Sequence, residues 1–505
     1  MDGELKLKVK VFDVEQGQNE VVISEGLAKS RNIDIGDRVR VRANGKSIVA
    51  LVDHSKKYLN DDEVGLFDEV ASALDARKHD CVFLSKEQRP ASLDYIRKKL
   101  DGVALTPSEI QEIISNVMDE KFSLAELVAF VSAVYVRGAN TDEIVALTDA
   151  IYASGESMHF SEGRPVVSEH SIGGVAGDRV SMLIVPILAS LGFLVPKTAT
   201  RAISSASGTA DAMECYARVD LKREEVEKVV KSVGGCLVWG GGVNMAVADD
   251  KLIKVRQPLR LDPHGLLLAS ILAKKKAEGA SHVLLDIPYG HGAKIDSFED
   301  AHQLATEFKT LGARIGLEMS VIITDGSEPM ISVAGPALEA RAVLEALSGK
   351  GYDSIVEKAC VMSGLVIEKF KGLPAGKGRE VAEQQVKSGA ALAKLREIIK
   401  AQGGNPAIKP EDIEVGDVRA TVHAPFDGRI AHIDNKGIFK ACRALGAPSY
   451  KGAGIILKVK TGQDVHKGDE LFELVTNSKE ALDYTISKKD DYKIVEIREI
   501  ILDVV

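Results

Sequence analysis

The period of hydrophobic and polar positions changes several times along the chain, and each change marks a boundary. Residues 5–11, Leu-Lys-Leu-Lys-Val-Lys-Val, alternate strictly, as a half-buried strand does. Residues 38–42, Arg-Val-Arg-Val-Arg, repeat the alternation, and Asn44-Gly45 then supplies a hairpin turn signal. Residues 1–86 therefore read as a β-rich N-terminal domain. Near residue 88 the period lengthens. Thr106-Pro107-Ser108-Glu109 is a capping box with proline at the first helical position. Segments 123–138 and 141–153 carry apolar residues at helical spacing, so 88–157 reads as a helical lobe.

From 164 to 402, strand, glycine loop and helix follow one another repeatedly. Val226, Val229, Val230 and Val233 share a helical face that Gly234 closes. Residues 236–239, 282–289 and 315–324 read as strands. This alternation predicts a largely parallel sheet covered by helices. The apolar stretch 180–195 contains Pro186 and two serines and falls short of the roughly 20 residues of a membrane helix, so it reads as a buried helix. Residues 403–418 are rich in Gly, Pro and acid and read as a linker. Residues 419–505 read as a β-rich C-terminal domain, in which 452–474 resembles a lipoyl-like barrel without the lysine a carrier presents. The predicted fold class is α/β multidomain: a helical lobe plus an α/β lobe with a largely parallel sheet, flanked by β-rich N-terminal and C-terminal domains.

Composition narrows the function classes. A chain of 505 residues with net charge −9 lacks the basic surface that nucleic-acid binding needs. Its five cysteines, at 81, 215, 236, 360 and 442, form no C-x-x-C pair. They read as reduced thiols of a cytoplasmic protein and give no zinc spacing. The N-terminal residues lack the apolar block of a signal peptide. The expectation is a protein with no metal, no nucleic-acid partner and no membrane partner.

Three strand-to-helix junctions carry candidate chemistry, since ligands of open α/β sheets bind at the carboxyl ends of strands. The first is Glu169-His170-Ser171-Ile172-Gly173-Gly174-Val175-Ala176-Gly177-Asp178, whose glycines let backbone N–H groups approach an anion. A plain tight turn explains it equally well. The second is the run from Thr200 to Thr209. Arg201, Ser204, Ser205, Ser207 and Thr209 offer donors for phosphate oxygens, and a solvated polar loop is the competing reading. The third runs from Arg256 to Gly265 into an apolar helix bearing Ser270 and Lys274. Asp262-Pro263 there is an N-cap signature, which competes with a catalytic role for Asp262. Downstream, Gly290-His291-Gly292-Ala293-Lys294 follows a strand, and Lys294 is either a ligand contact or a solvated lysine.

Taken together these junctions resemble the thymidine/pyrimidine-nucleoside phosphorylase family, in particular its archaeal AMP phosphorylase branch. The matching residues are His170 to Gly174, Arg201 through Gly208-Thr209-Ala210-Asp211 to Glu214, Asp262, Ser270 to Lys274, and Gly290 to Lys294. The resemblance covers 88–505, and the added N-terminal domain is characteristic of the AMP branch. It implies two lobes that close on substrate, with a return segment near 258–278 in the helical lobe. It implies the reaction of AMP with phosphate to give adenine and ribose 1,5-bisphosphate, with CMP and UMP as further substrates. Gly174, Thr200, Arg201, Ala202, Ile203, Ser204, Ser205, Thr209, Ser270 and Lys294 would bind the nucleotide, and Asp262 would protonate the departing base. Ser171, Ser181 and Thr209 are candidates for the attacking phosphate. The resemblance also implies no cofactor beyond phosphate as co-substrate, and a homo-oligomer.

The chain departs from that pattern in three places. Nucleoside phosphorylases show lysine where this chain has Glu169 and serine where it has Ala199, and Arg256 lies one residue too close to Asp262 to match their pyrimidine-gripping arginine. Three other readings stay open: a pyrimidine nucleoside phosphorylase, a non-catalytic AMP-binding regulator, and a phosphoribosyltransferase.

Overall fold

The computed structural model describes residues 4–160, 163–202 and 205–499. The chain divides into two units, one of residues 1–155 with 246–274 and the other of 156–245 with 275–505.

In the first unit the alternating segments become strands β1 (Leu5–Val11), β2 (Glu20–Ser24), β3 (Arg38–Ala43), β4 (Lys46–Ser55), β5 (Glu63–Leu66) and β6 (Cys81–Glu87). They close into a barrel in the order β1-β5-β2-β4-β3-β6. The inward set, among them Leu7, Val9, Val39, Val41, Val82 and Leu84, is buried, while the intervening Lys and Arg face outward. Asn44 and Gly45 link β3 to β4 with φ of +52° and +76°, the paired left-handed conformation of a two-residue hairpin turn.

Helices Ser92–Leu100, Pro107–Met118, Leu124–Arg137 and Thr141–Ala153 follow. The last three open on capping boxes led by Thr106, Ser123 and Asn140, caps that contribute about 1 kcal/mol each. Glu126, the third helical residue of one box, also pairs with the buried Arg38 of β3, which donates to Lys121 O as well. The barrel is thereby tied to the helices. Helix Val247–Arg256 and the first part of helix His264–Ala277 complete this unit.

The second unit contains β7 (Val167–Ser171), β8 (Val195–Ala199), β9 (Gly235–Trp239), β10 (His282–Tyr289) and β11 (Glu318–Asp325). Pairing is parallel throughout, in the orders β11-β10-β7 and β8-β9, and a parallel bridge from Val166 to Leu194 connects the two groups. The apolar stretch at 180–195 is the buried helix Ser181–Ser190 followed by a turn into β8. One strand boundary differs from the sequence reading. Residues read as a strand over 315–324 begin inside helix Phe298–Ile315, and Gly316 at φ +79° ends that helix before β11. The alternation of Ile315, Leu317, Met319 and Val321 runs back across the C-cap, so periodicity alone does not place the start of the strand.

The C-terminal part forms two sheets. One orders β12 (Val333–Ala334), β15 (Gly454–Leu457), β17 (Glu470–Thr476) and β13 (Val418–His423). The other orders β16 (Asp464–Val465), β14 (Gly428–Ile433) and β18 (Val495–Arg498). The stretch read as a linker is fastened down: it carries the 3₁₀ turn Pro410–Asp412, Ile413 is buried, and Arg341 Nε donates to Ile413 O at 2.8 Å. Among the described residues no helix is long and apolar enough to cross a membrane.

Candidate active site

β7 delivers Ser171 to the edge of the glycine loop. Gly173, Gly174 and Gly177 take φ of +81°, +98° and +70°, conformations that L-residues rarely adopt. At Gly174 the tightness is explicit, since a Cβ there would lie 2.7 Å from the backbone nitrogen of Lys294. Gly174 and Lys294, 120 positions apart in sequence, are thus brought side by side. Ser171 Oγ donates to Asp286 Oδ2 at 2.9 Å and accepts from Gly173 N at 3.2 Å.

The loop 200–208 is organised around one carboxylate. Asp211, at the start of helix Thr209–Met213, accepts from Ala202 N at 2.7 Å and Gly208 N at 2.9 Å. A Cβ on Gly208 would meet Thr200 O at 2.3 Å, so the loop folds back on itself there. Asp211 therefore shapes the loop as well as opening the helix. Arg201 forks onto Glu214 at 2.6 and 2.7 Å and lies 5.3 Å over the Trp239 ring. Lys451 adds contacts to Asp211 at 3.2 Å and Glu214 at 2.7 Å. Thr200 is exposed, Ala202 and Thr209 are half-buried, and Ser205 Oγ donates to Ser207 O at 3.1 Å. Ile203 and Ser204 lie outside the described residues.

Arg201, then burial acting in the opposite sense, then Lys451 together hold the Glu214 carboxyl at about 2. Its folded value is depressed, so the stability it contributes is present above its ordinary value near 4.5 and is lost as pH falls toward about 2. Wild type should be more stable than Glu214→Gln at neutral pH, and the gap should close over that window. Urea unfolding of both proteins at stepped pH measures it; a gap independent of pH would contradict the assignment.

Below this loop lies a buried ionic layer. Glu169, where nucleoside phosphorylases show lysine, is fully buried and pairs with Lys197 of β8 at 3.0 Å. It also accepts from Ser181 Oγ at 2.5 Å, while its Oε1 finds no hydrogen-bond partner among the described residues. The cation of this corner therefore comes from β8 rather than β7. Lys275 pairs with Glu278 at 2.9 and 3.0 Å, and Glu278 accepts from Ser168, Thr198 Oγ1 and Thr198 N. On the other flank, Lys358 donates to Asp286 Oδ2 at 2.7 Å and Asp178 Oδ2 at 2.8 Å, and Thr324 Oγ1 donates to Asp286 Oδ1 at 2.7 Å. Burial alone would lower the Lys358 ammonium, but the two carboxylates outweigh it and raise it.

The first unit holds the remaining site residues. Ser270 and Lys274 sit one turn apart on helix His264–Ala277. Both donate to Asp249 Oδ2 at 2.6 Å, and Asp249 is buried on helix Val247–Arg256. Sequence spacing gave no signal for Asp249, because its helix is separated from theirs by a turn. Helix His264–Ala277 begins one residue later than a cap at Asp262 with Pro263 first in the helix requires. The Asp262 side chain is 47% exposed, and Arg256 Nη1 lies 3.3 Å from its Oδ1.

Comparison with known proteins gives a consistent set of likenesses. Residues 93–155 match the glycosyl transferase family helical bundle domain, and 163–392 match the glycosyl transferase family a/b domain. An AMP phosphorylase of Pyrococcus furiosus is 42% identical over 499 residues, covering 99% of each chain. One from Methanocaldococcus jannaschii is 42% identical over 480 residues, covering 95% of each. Among solved structures, anthranilate phosphoribosyltransferase from Thermus thermophilus superposes with a TM-score of 0.53 at 18% identity. It covers 61% of this chain and 99% of its own, a likeness of fold.

Proposed function

We propose that this chain, which belongs to the AMP phosphorylase family, splits AMP with inorganic phosphate into adenine and ribose 1,5-bisphosphate, reversibly. One observation carries the reading: the kinship runs the length of the chain, through the N-terminal barrel as well as the two transferase domains. CMP and UMP are proposed as further substrates, and a cytoplasmic homo-oligomer as the working form.

The roles follow from the chemistry of the groups. Loop 200–209, with Gly174 and Lys294 beside one another, supplies N–H, hydroxyl and ammonium donors for nucleotide oxygens. Ser270, held by Asp249, is a further nucleotide-binding residue in this reading. Breaking the N-glycosidic bond leaves negative charge on a ring nitrogen, and Asp262 is the group that delivers a proton there. Phosphate attacks C1′ as the base departs.

The test is incubation with AMP and phosphate, with AMP alone as control. Free adenine should appear only when phosphate is present. Binding of AMP without turnover favours a regulator. Thymine released from thymidine, with AMP untouched, favours a nucleoside phosphorylase. A requirement for pyrophosphate favours a phosphoribosyltransferase.

A further inference from the structure

Three hydroxyls are candidates for the attacking phosphate, those of Ser171, Ser181 and Thr209, and their neighbours decide which of them has a proton to give. Ser171 Oγ donates to Asp286 Oδ2 and Ser181 Oγ donates to Glu169 Oε2. An ionised carboxylate only accepts, and a hydroxyl has one proton, so both protons are committed while those contacts hold. Thr209 is the opposite case. Its Oγ1 accepts from Arg179 Nη1 at 3.3 Å, and a guanidinium only donates, so the Thr209 proton is directed elsewhere.

Arg179 is itself firmly placed. Nη2 donates to Ser207 O at 2.9 Å and Nε donates to Glu339 Oε2 at 2.7 Å, and the residue is 8% exposed. Glu339 is nearly fully buried and is held in turn by Gly335 N at 3.1 Å. A planar fork fixed through three nitrogens holds its acceptors in a way that a lysine ammonium does not reproduce.

We propose that Arg179 is a positioning residue for phosphorolysis. Fixed by Glu339, it donates to Thr209 Oγ1 and the Ser207 carbonyl, and so turns the Thr209 hydroxyl proton toward inorganic phosphate. Thr209 is then the hydroxyl donor of the phosphate corner, while Ser171 and Ser181 present lone pairs. This inference rests on the AMP phosphorolysis reading.

The experiment measures kcat and the separate KM values for phosphate and AMP in the full-length enzyme. The proteins are wild type, Arg179→Lys, Arg179→Met, Thr209→Val and the double variant R179M/T209V. Loss of one hydrogen bond to a charged ligand corresponds to about 10-fold or more in phosphate KM. That rise is expected in R179K, R179M and T209V, and it should exceed any accompanying rise in AMP KM at least several-fold. Because Arg179 acts through Thr209, R179M should add little to T209V. A merely structural role for Arg179 would raise both KM values together, and its effect would multiply with that of T209V. R179M leaves Glu339 buried without its cation, so if it does not fold, the same values are read in R179M/E339L. T209V keeps the side-chain shape and tests the donor assignment by itself. Absence of phosphate-dependent adenine release from wild type overturns the underlying reading. Normal wild-type turnover, with phosphate KM unchanged in T209V or in the folded Arg179 variants, overturns only this inference.

Discussion

Asp262→Asn should lower kcat for AMP phosphorolysis by about 10²- to 10⁴-fold, the range of a lost general acid. The substitution is chosen for what it leaves alone. Asparagine has the size of aspartate and still offers an oxygen to Arg256 at this half-exposed position. Stability should therefore stay within about 0.5 kcal/mol of wild type. What asparagine lacks is a transferable proton. KM for AMP should change little, because the group acts on the leaving base rather than on ground-state binding. Steady-state kinetics alongside a denaturant curve separate the two roles. Unimpaired turnover would assign Asp262 to the helix entrance alone and move the acid elsewhere.

Lys358→Met is expected to destabilise the fold by about 3–5 kcal/mol, the cost of stripping the cation from a buried cluster. Lys358 faces two carboxylates at 2.7 and 2.8 Å, and both are buried with it. Asp286 is already pushed upward by burial, with Lys358 opposing that push. Removing the ammonium leaves Asp178 and Asp286 to repel each other in a medium that solvates neither. Restoring neutrality with Asp286→Asn in the same chain should recover part of the loss. Urea unfolding of both variants gives the numbers, and a single-variant loss below about 1 kcal/mol would show that water reaches the cluster. Because Asp286 also receives the Ser171 proton, the variant should perturb the glycine loop before it unfolds the sheet.

Much of this was legible in the sequence because the signals are local. The hairpin at Asn44-Gly45, the capping box at Thr106 and the strand at 282–289 each rest on a few adjacent residues. The glycine junction and the donor-rich loop were legible for the same reason. What the sequence hid is long-range. Glu169 and Lys197 are 28 positions apart, and nothing in either segment announces that the charge at one is answered at the other. Nothing in the segment around Arg179 announces that it pairs with Glu339, 160 positions on. Asp249 is likewise invisible until two helices are packed. The false strand start at 315 had a different cause: the last helical residue, Ile315, falls in phase with the strand's alternation.

Strand β12 has a consequence for how the chain is made. It belongs by sequence to the α/β lobe, yet its partner is β15, more than 100 residues later, in antiparallel register at Val333–Ile456 and Ala334–Ile455. Asn435 reinforces the tie, accepting from Ala176 N at 2.8 Å and donating to Gly326 O at 3.0 Å. During synthesis the α/β lobe emerges with the segments at Ala176 and Gly326 unanchored until Asn435 leaves the ribosome, and with one strand edge bare until residues near 456 follow. At about 5–20 residues per second that interval lasts several seconds, with an unpaired edge open to other nascent chains. The strand is two residues long. Its brevity limits what a stranger can pair with while the proper partner is still being translated.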